Sequence, residues 1–180
     1  MKTIRLKTFE TNSSSTHTLT ITSGKTWDEF QAGTAMYCKE FEQLYDSKQL
    51  YDMFVEGDND GDYKCDEYEE YRNKLISSSP LTYEEFLFVL QNEKVAAACF
   101  TDKNYNWPCE FSAELNSKFG SETHLNKDVL YFIGKWLYEY GMQSYKEWIA
   151  DDNEGELEWF ASEDVFDGVR VVAFGKYGYC

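Results

Sequence analysis

Residues 126–141 read NKDVLYFIGKWLYEYG, and this segment predicts a helix at the centre of the fold. Apolar side chains recur along it every three or four positions, which places them on one side of a helix. The pattern begins at Asn126 and ends at Gly141, a residue type that commonly follows the last helical turn. We expect a core helix with the following residues on its buried side: Val129, Leu130, Phe132, Ile133, Trp136, Leu137 and Tyr140.

Other helical patterns lie on either side of this segment. Thr82 is suited to cap a helix, because the acidic residues Glu84 and Glu85 that follow it interact favourably with the positive N-terminal end of a helix. A shorter helix is predicted with Thr26 as its cap. Further helices are predicted at about 42–55, 66–76 and 144–149.

Alternating apolar and polar residues predict strands near both ends of the chain. Residues 3–9 place Ile4 and Leu6 on one face, and residues 18–22 repeat the alternation. If these two strands pair, the segment between them is a connection long enough to carry a site. The other predicted strands lie at 34–39, 95–100, 157–161 and 169–174.

These patterns together predict an α+β fold with one domain over residues 1–180. Its mainly antiparallel sheet is built from the N- and C-terminal strands, and helices pack on that sheet. We expect a β-hairpin-like segment at 3–22 that carries the candidate site, a helical middle at 42–140, and C-terminal strands at 157–174. A length of 180 residues with 18% aromatic side chains is enough to fill a core.

The charge of the chain bears on its partners. Its 33 acidic and 17 basic side chains give a formal charge of -16, which argues against general affinity for nucleic acid and favours a basic partner surface. No apolar run reaches the roughly 18 residues of a membrane span. The N-terminus also lacks the apolar stretch of a signal peptide, so we expect an intracellular protein that does not bind membranes.

The cysteines predict neither disulfides nor a metal site. They stand at positions 38, 65, 99, 109 and 180 without a Cys-x-x-Cys pair, so we interpret them mostly as buried thiols. Cys99, Cys109 and His124 lack the close spacing of zinc ligands. We therefore predict no metal and no cofactor.

The segment at 9–18 reads FETNSSSTHT and has the composition of a catalytic site. The hypothesis is that His17 acts as general base or acid with Glu10 as its partner, since the unperturbed pKa of histidine lies near neutrality. Hydroxyl groups would come from Ser13, Ser14 or Ser15. The alternative is a turn in which these side chains bond to their own backbone.

Basic residues around this segment extend the hypothesis to RNA. The histidine would take the proton of a 2′-hydroxyl, and a cation would stabilise the charge that develops on phosphorus, so the segment is a candidate metal-independent ribonuclease. A serine nucleophile is the other reaction type considered, although the sequence has no Gly-x-Ser-x-Gly elbow. The candidate RNA-binding residues are Lys2, Arg5, Lys7 and Lys25.

Two acidic stretches, at 56–70 and 151–167, are candidate surfaces for a basic partner. Each holds eight acids, and solvated charged loops are the alternative interpretation. Residues 56–67 also resemble a calcium loop, but Glu56 stands where aspartate is the norm and no second loop exists to pair with it. The candidate partner-binding residues are Asp58, Asp60, Asp62, Glu67, Asp151, Asp152 and Glu154.

Over the first 22 residues, the FETNSSSTHT motif resembles the N-terminal motif of small proteins from phages and mobile elements of Gram-positive bacteria. The remainder is similar in size, acidity and aromatic content to anti-CRISPR proteins that inhibit Cas9. This resemblance implies a phage-encoded inhibitor of a Cas9-type nuclease that acts in the bacterial cytoplasm. Its partner would be Cas9 or the Cas9–guide RNA complex, with RNA as a further partner.

Two mechanisms follow from the resemblance. Acidic patches would occupy the positively charged channel or the PAM-reading arginines of Cas9, or the segment from Glu10 to His17 would cut the guide RNA. The alternatives are a stand-alone small hydrolase or RNA-processing enzyme that uses the same segment, and a regulatory binding module without catalysis.

Overall fold

The computed structural model of the protein describes residues 18–56, 81–151 and 157–178. The chain divides into a sheet unit, residues 1–45 with 143–180, and a helical unit, residues 46–142. Helices and small antiparallel sheets are both present, so the predicted α+β class is confirmed. The strands are β1 (Thr20–Ser23), β2 (Met36–Cys38), β3 (Gln43–Tyr45), β4 (Met142–Gln143), β5 (Leu157–Phe166) and β6 (Val169–Gly178).

The described residues also form seven helices. They are α1 (Gly24–Gln31), α2 (Ser47–Glu56), α3 (Tyr83–Gln91), α4 (Glu93–Thr101), α5 (Cys109–Phe119), α6 (Lys127–Glu139) and α7 (Tyr145–Ala150), with one 3₁₀ turn at Gly120–Glu122.

The main sheet has the antiparallel order β1-β6-β5. Thr20 lies opposite Phe174, and Phe166 lies opposite Val169 beside the turn that joins β5 to β6. Pairing of an N-terminal strand with C-terminal strands is therefore confirmed. The predicted strand partner of β1 at 3–9 lies outside the described residues.

A second small sheet, of order β3-β2-β4, corrects the prediction of one sheet. Met36 pairs with Tyr45 and Cys38 with Gln43, so residues 43–45 form a strand where a helix at 42–55 was predicted. Cross-strand pairing outweighs the weak local preference for helix, and α2 begins only at Ser47.

The cap of helix α1 lies three residues before the predicted cap Thr26. The Ser23 hydroxyl accepts a hydrogen bond from the Thr26 backbone N–H at 3.1 Å, so Ser23 is the cap and Thr26 lies inside the first turn. Serine caps as well as threonine does, and Ser23 is the last residue of β1, directly before the helix. The predicted helix near 144–149 is confirmed as α7, with Ser144 in a capping box.

An aromatic core fills the sheet unit. The Phe174 ring of β6 lies 4.8 Å from Trp27 of α1 and 5.4 Å from Trp148 of α7, measured between ring centroids. Phe30 and Tyr37 are buried in the same cluster. Helices α1 and α7 therefore pack against the face of the sheet that carries Phe174.

The helical unit contains the predicted core helix. Helix α6 is capped by Asn126 and buries Trp136. Thr82 caps α3 as predicted, and the structure shows that it does so in a capping box with Glu85. Gly134 lets α6 approach α4, because a Cβ there would lie 2.2 Å from the Ala96 carbonyl oxygen. The strand predicted at 95–100 is wrong: this run is helix α4, since a short apolar run fits either element and its alanines favour helix.

The described cysteines bear out the prediction of buried thiols only in part. Cys38 and Cys99 are buried, whereas Cys109 is exposed at the first position of α5, where Phe111 and Leu115 supply the buried side. Burial raises the pKa of both the Cys38 and the Cys99 thiols.

Candidate functional site

Most predicted site residues lie outside the described residues. Among the predicted RNA-binding residues, the structure describes Lys25, and among the predicted partner-binding residues it describes Asp151. The residues that lie outside are Glu10, Ser13, Ser14, Ser15, His17, Lys2, Arg5, Lys7, Asp58, Asp60, Asp62, Glu67, Asp152 and Glu154. The helix predicted at 66–76 and the candidate calcium loop after Glu56 lie outside as well.

Lys25 lies in the first turn of α1 and forms an ion pair with Glu29. The two side chains are four residues apart, with Nζ and Oε1 separated by 3.4 Å, and that of Lys25 is 82% exposed. Exposed pairs of this kind are weak and readily exchanged for another anion. The arrangement neither places Lys25 at a site nor prevents it from binding phosphate.

Asp151 is held by polar groups of its own unit. Its carboxylate forms an ion pair with Lys39 and accepts a hydrogen bond from the Gln143 side chain at 2.8 Å. The contact with Lys39 contributes most to lowering the pKa of Asp151. Its backbone carbonyl accepts from Lys176, whose ammonium group lies 5.2 Å from the Trp148 ring centroid. The charge of Asp151 is therefore largely compensated within the chain.

Apart from Asp151, the described part of the acidic stretch 151–167 forms β5 and the turn after it. Strands β5 and β6 pair along ten residues each. Asp167 and Gly168 join them with backbone φ angles of 49° and 79°, as a two-residue hairpin turn requires. Along β5, nearly every described side chain is exposed, which makes the hairpin an accessible acidic surface.

One arginine compensates part of this acidity. Arg170 forms a bidentate ion pair with Glu163, with N–O distances of 2.7 and 2.9 Å, and its Nη1 donates to Asp28 of α1 at 2.7 Å. The hydrogen bond from Arg170 lowers the pKa of Glu163, and the same contact, with that to Asp28, raises the pKa of Arg170. No described basic side chain forms an ion pair with Glu158, Asp164 or Asp167.

The sheet β1-β6-β5 presents an apolar surface on its side away from Phe174. Successive residues of a strand point to opposite faces, so this side follows from the register of the pairs. Leu19, Phe166 and Val169 are 45%, 51% and 58% exposed there. We call this surface the outer face and define it by Leu19, Ile21, Phe160, Phe166, Val169 and Val171.

The helical unit contains an acid–histidine pair that sequence reasoning missed. Glu85, 2% exposed, accepts hydrogen bonds from the backbone N–H and hydroxyl of Thr82, both at 3.0 Å. It also accepts from the Thr123 hydroxyl at 3.1 Å and the His124 backbone N–H at 2.6 Å. His124 Nδ1 lies 3.0 Å from the carboxylate. Only the helix cap at Thr82 was apparent from the sequence.

The carboxylate of Glu85 is ionised. Burial acts to raise its pKa, but the hydrogen bonds from Thr82 and His124 outweigh burial and lower the pKa below its ordinary value. An ionised carboxylate only accepts hydrogen bonds, so His124 Nδ1 is the donor. Both neighbouring hydroxyls are directed at the carboxylate, and the group therefore joins the start of α3 to the segment before α6.

Two further observations concern cofactors and membranes. Across the described ranges, no three His, Cys, Asp or Glu side chains lie close enough to hold a metal ion. Within the same part of the chain, no helix has the length and apolarity needed to cross a membrane.

Comparisons with known proteins add no relative. No family model matches the chain, and it matches neither a curated protein nor a solved structure.

Proposed function

We propose that this protein is an inhibitor that binds a basic nuclease of the Cas9 type through its acidic surface, in the cytoplasm of a bacterial host. The formal charge of -16 supports a basic partner, since opposite charges speed encounter and disfavour wrong partners. The likeness to Cas9 inhibitors in size and composition supports this class of target. Guide-RNA cleavage from Glu10 to His17 remains the second mechanism to test.

The observation that carries the proposal is the exposed acidity of the β5–β6 hairpin. Glu158, Asp164 and Asp167 lie on or beside a ten-residue strand of a paired sheet, so their carboxylates are presented on an ordered backbone. Arg170 compensates Glu163, and no described basic side chain forms an ion pair with the three. An arginine- or lysine-lined channel would meet carboxylates here whose charge no basic side chain of the described residues compensates.

The test combines the protein with a Cas9–guide RNA complex and a labelled DNA target. We expect wild type to bind the complex and to slow DNA cleavage, with the guide RNA left at full length. In E158Q/D164N/D167N, we expect the inhibition constant to rise by about three- to tenfold, with a weaker dependence on salt. Asparagine tolerates the positive φ of position 167, so the hairpin turn is kept.

A matched variant, E110Q/E114Q/E122Q, removes the same charge from exposed positions of the helical unit. It should inhibit nearly as wild type does, because the effect expected here is local and not one of net charge. Shortened guide RNA that disappears in His17→Ala would establish cleavage instead of binding. Wild type that neither binds the complex nor slows cleavage would overturn the proposal for that nuclease.

A further inference from the structure

We propose that the outer face is the surface on which the basic partner docks, with apolar contacts at its centre and acid–base contacts at its rim. The inference rests on the proposed function and names its binding site. It assigns the binding to one side of the sheet and not to the chain's acidity as a whole.

The composition of the outer face departs from that of a solvated sheet face. An antiparallel sheet that packs on one side usually alternates apolar residues toward the core with polar residues toward water. Here Val172 and Phe174 are buried toward the core, yet the positions between and beside them, Val171, Ala173 and Val169, are also apolar. Strand β6 is therefore apolar on both sides over residues 171–174, and an exposed apolar surface of this kind is typical of one covered by a partner.

The outer face is held in a defined shape before any partner binds. Gly175 lies between Phe160 of β5 and the chain at Thr18, where a Cβ would lie 1.8 Å from the Thr18 carbonyl oxygen and 3.1 Å from the Phe160 ring. Lys176 extends the pairing, since its N–H donates to the Thr18 hydroxyl at 3.0 Å. A surface already ordered loses little entropy on binding.

Charge decides between a second copy of the chain and a basic partner. In β5, Glu158 and Asp164 each lie two positions before a phenylalanine of the outer face, Phe160 and Phe166. Residues two apart in a strand point to the same side, so these carboxylates lie on the outer face itself. Asp167 follows in the turn. Two copies meeting through this face would bring the same acids together in chains that each carry -16. A partner with apolar side chains ringed by lysine or arginine meets both features.

The hairpin offers a matched pair of substitutions. Val169 and Val165 are 58% and 62% exposed near the same turn, but Val169 lies on the outer face and Val165 on the opposite one, level with Arg170. Threonine keeps the shape and strand preference of valine at either position. V169T therefore tests the outer face, V165T serves as its control, and F166T/V169T gives a larger change on the same face.

Two probes are titrated against wild type and these variants, with circular dichroism confirming that each variant is folded. One is a Cas9–guide RNA complex, and the other is a ten-residue peptide of alternating lysine and valine, compared with a peptide of alternating glutamate and valine. We expect F166T/V169T to weaken binding of both basic probes by about tenfold. V169T should weaken it less, and V165T by less than about twofold.

The two probes separate this inference from the proposed function. If V169T lost binding to the lysine peptide while neither wild type nor any variant bound the Cas9–guide RNA complex, the outer face would stand as the docking surface. The proposal that a Cas9-type nuclease is the partner would then be overturned. If V169T and V165T bound the Cas9–guide RNA complex equally well, the outer face would be overturned as the docking surface, while the nuclease would stand as the partner. If neither the Cas9–guide RNA complex nor the lysine peptide bound wild type, the proposal of a basic partner at this face would be overturned. The same conclusion would follow if wild type sedimented as a dimer and V169T as a monomer.

Discussion

Glu85 in the helical unit and Arg170 in the sheet unit each hold together segments that are distant in sequence, but they do so in different surroundings. Glu85 accepts from Thr82, Thr123 and His124 while only 2% exposed. Arg170 donates to Glu163, Asp28 and the Gly24 carbonyl with a side chain that is 39% exposed. The number of hydrogen bonds is similar, so the contrast isolates the effect of water.

Exposure decides how much each group contributes to stability. If the Glu85 carboxylate is removed, its partly buried donors lose an acceptor at a position that water reaches poorly, because Glu85 is only 2% exposed. If Arg170 is removed, water and salt ions reach Glu163 and Asp28 and solvate them. We therefore expect the helical unit to depend strongly on one carboxylate and the sheet unit to depend weakly on one guanidinium.

The largest expected effect is that of Glu85→Ala, which should lower the free energy of unfolding by about 3 kcal/mol. The loss arises because the hydroxyls of Thr82 and Thr123 and the His124 backbone N–H lose their acceptor together. Urea denaturation followed by circular dichroism measures it.

Glu84→Ala is the matched control for Glu85→Ala, since Glu84 is the exposed neighbour in the same helical turn. It should change stability by less than about 0.5 kcal/mol. Equal losses in the two variants would mean that the buried hydrogen bonds contribute nothing beyond the charge at the start of α3.

The sequence predicted the local part of this arrangement and not the distant part. The cap at Thr82 lies within three residues of Glu85, so it could be predicted from the local sequence. The contact between Glu85 and His124 spans 39 residues and arises only when α3 and α6 pack. The strand predicted at 95–100 was wrong for a different reason, because a short apolar run fits a buried helix as well as a buried strand.

The next largest expected effect is a loss of stability in acid. The pKa of Glu85 is lower in the folded protein than its ordinary value of 4.5, so the unfolded chain binds the proton more readily. The contribution of Glu85 is complete above pH 4.5 and is lost as the pH falls below it toward the folded pKa. Urea midpoints measured between pH 7 and pH 3 should therefore fall less steeply in Glu85→Gln than in wild type. Parallel curves would show that Glu85 is not the group responsible.

A smaller effect is expected at His124, whose ring supplies one of the donors to Glu85. His124→Ala should cost about 1 kcal/mol, because the backbone N–H of residue 124 and both threonine hydroxyls still reach the carboxylate. His124→Asn places an amide nitrogen near the position of Nδ1 and should recover much of that loss. Thermal unfolding of the two variants side by side measures the difference, and equal midpoints would show that the ring contributes through packing alone.

The hairpin shows a different limit of prediction from sequence. Strands were predicted at 157–161 and 169–174, whereas β5 continues to Phe166 and β6 to Gly178. Glu163 and Asp164 interrupt the apolar pattern of β5, and pairing with β6 keeps them in the strand regardless. The acidity of this stretch was visible in the sequence, but its placement beside an apolar face required the register of the strands.

The smallest expected effect is that of Arg170→Gln, and it is the one that tests the comparison from its weak side. Arg170 joins three segments by geometry as favourable as that around Glu85, so the number of contacts alone would predict a comparable loss. Exposure predicts instead a loss smaller than that of Glu85→Gln, and one that shrinks further in 1 M salt, where charges a few ångströms apart are screened. Chemical denaturation with urea at low and high salt separates the two expectations, because urea itself adds no ions. If Arg170→Gln destabilised the protein more than Glu85→Gln at both salt concentrations, bidentate geometry and not burial would set the contribution of ionic groups in this fold.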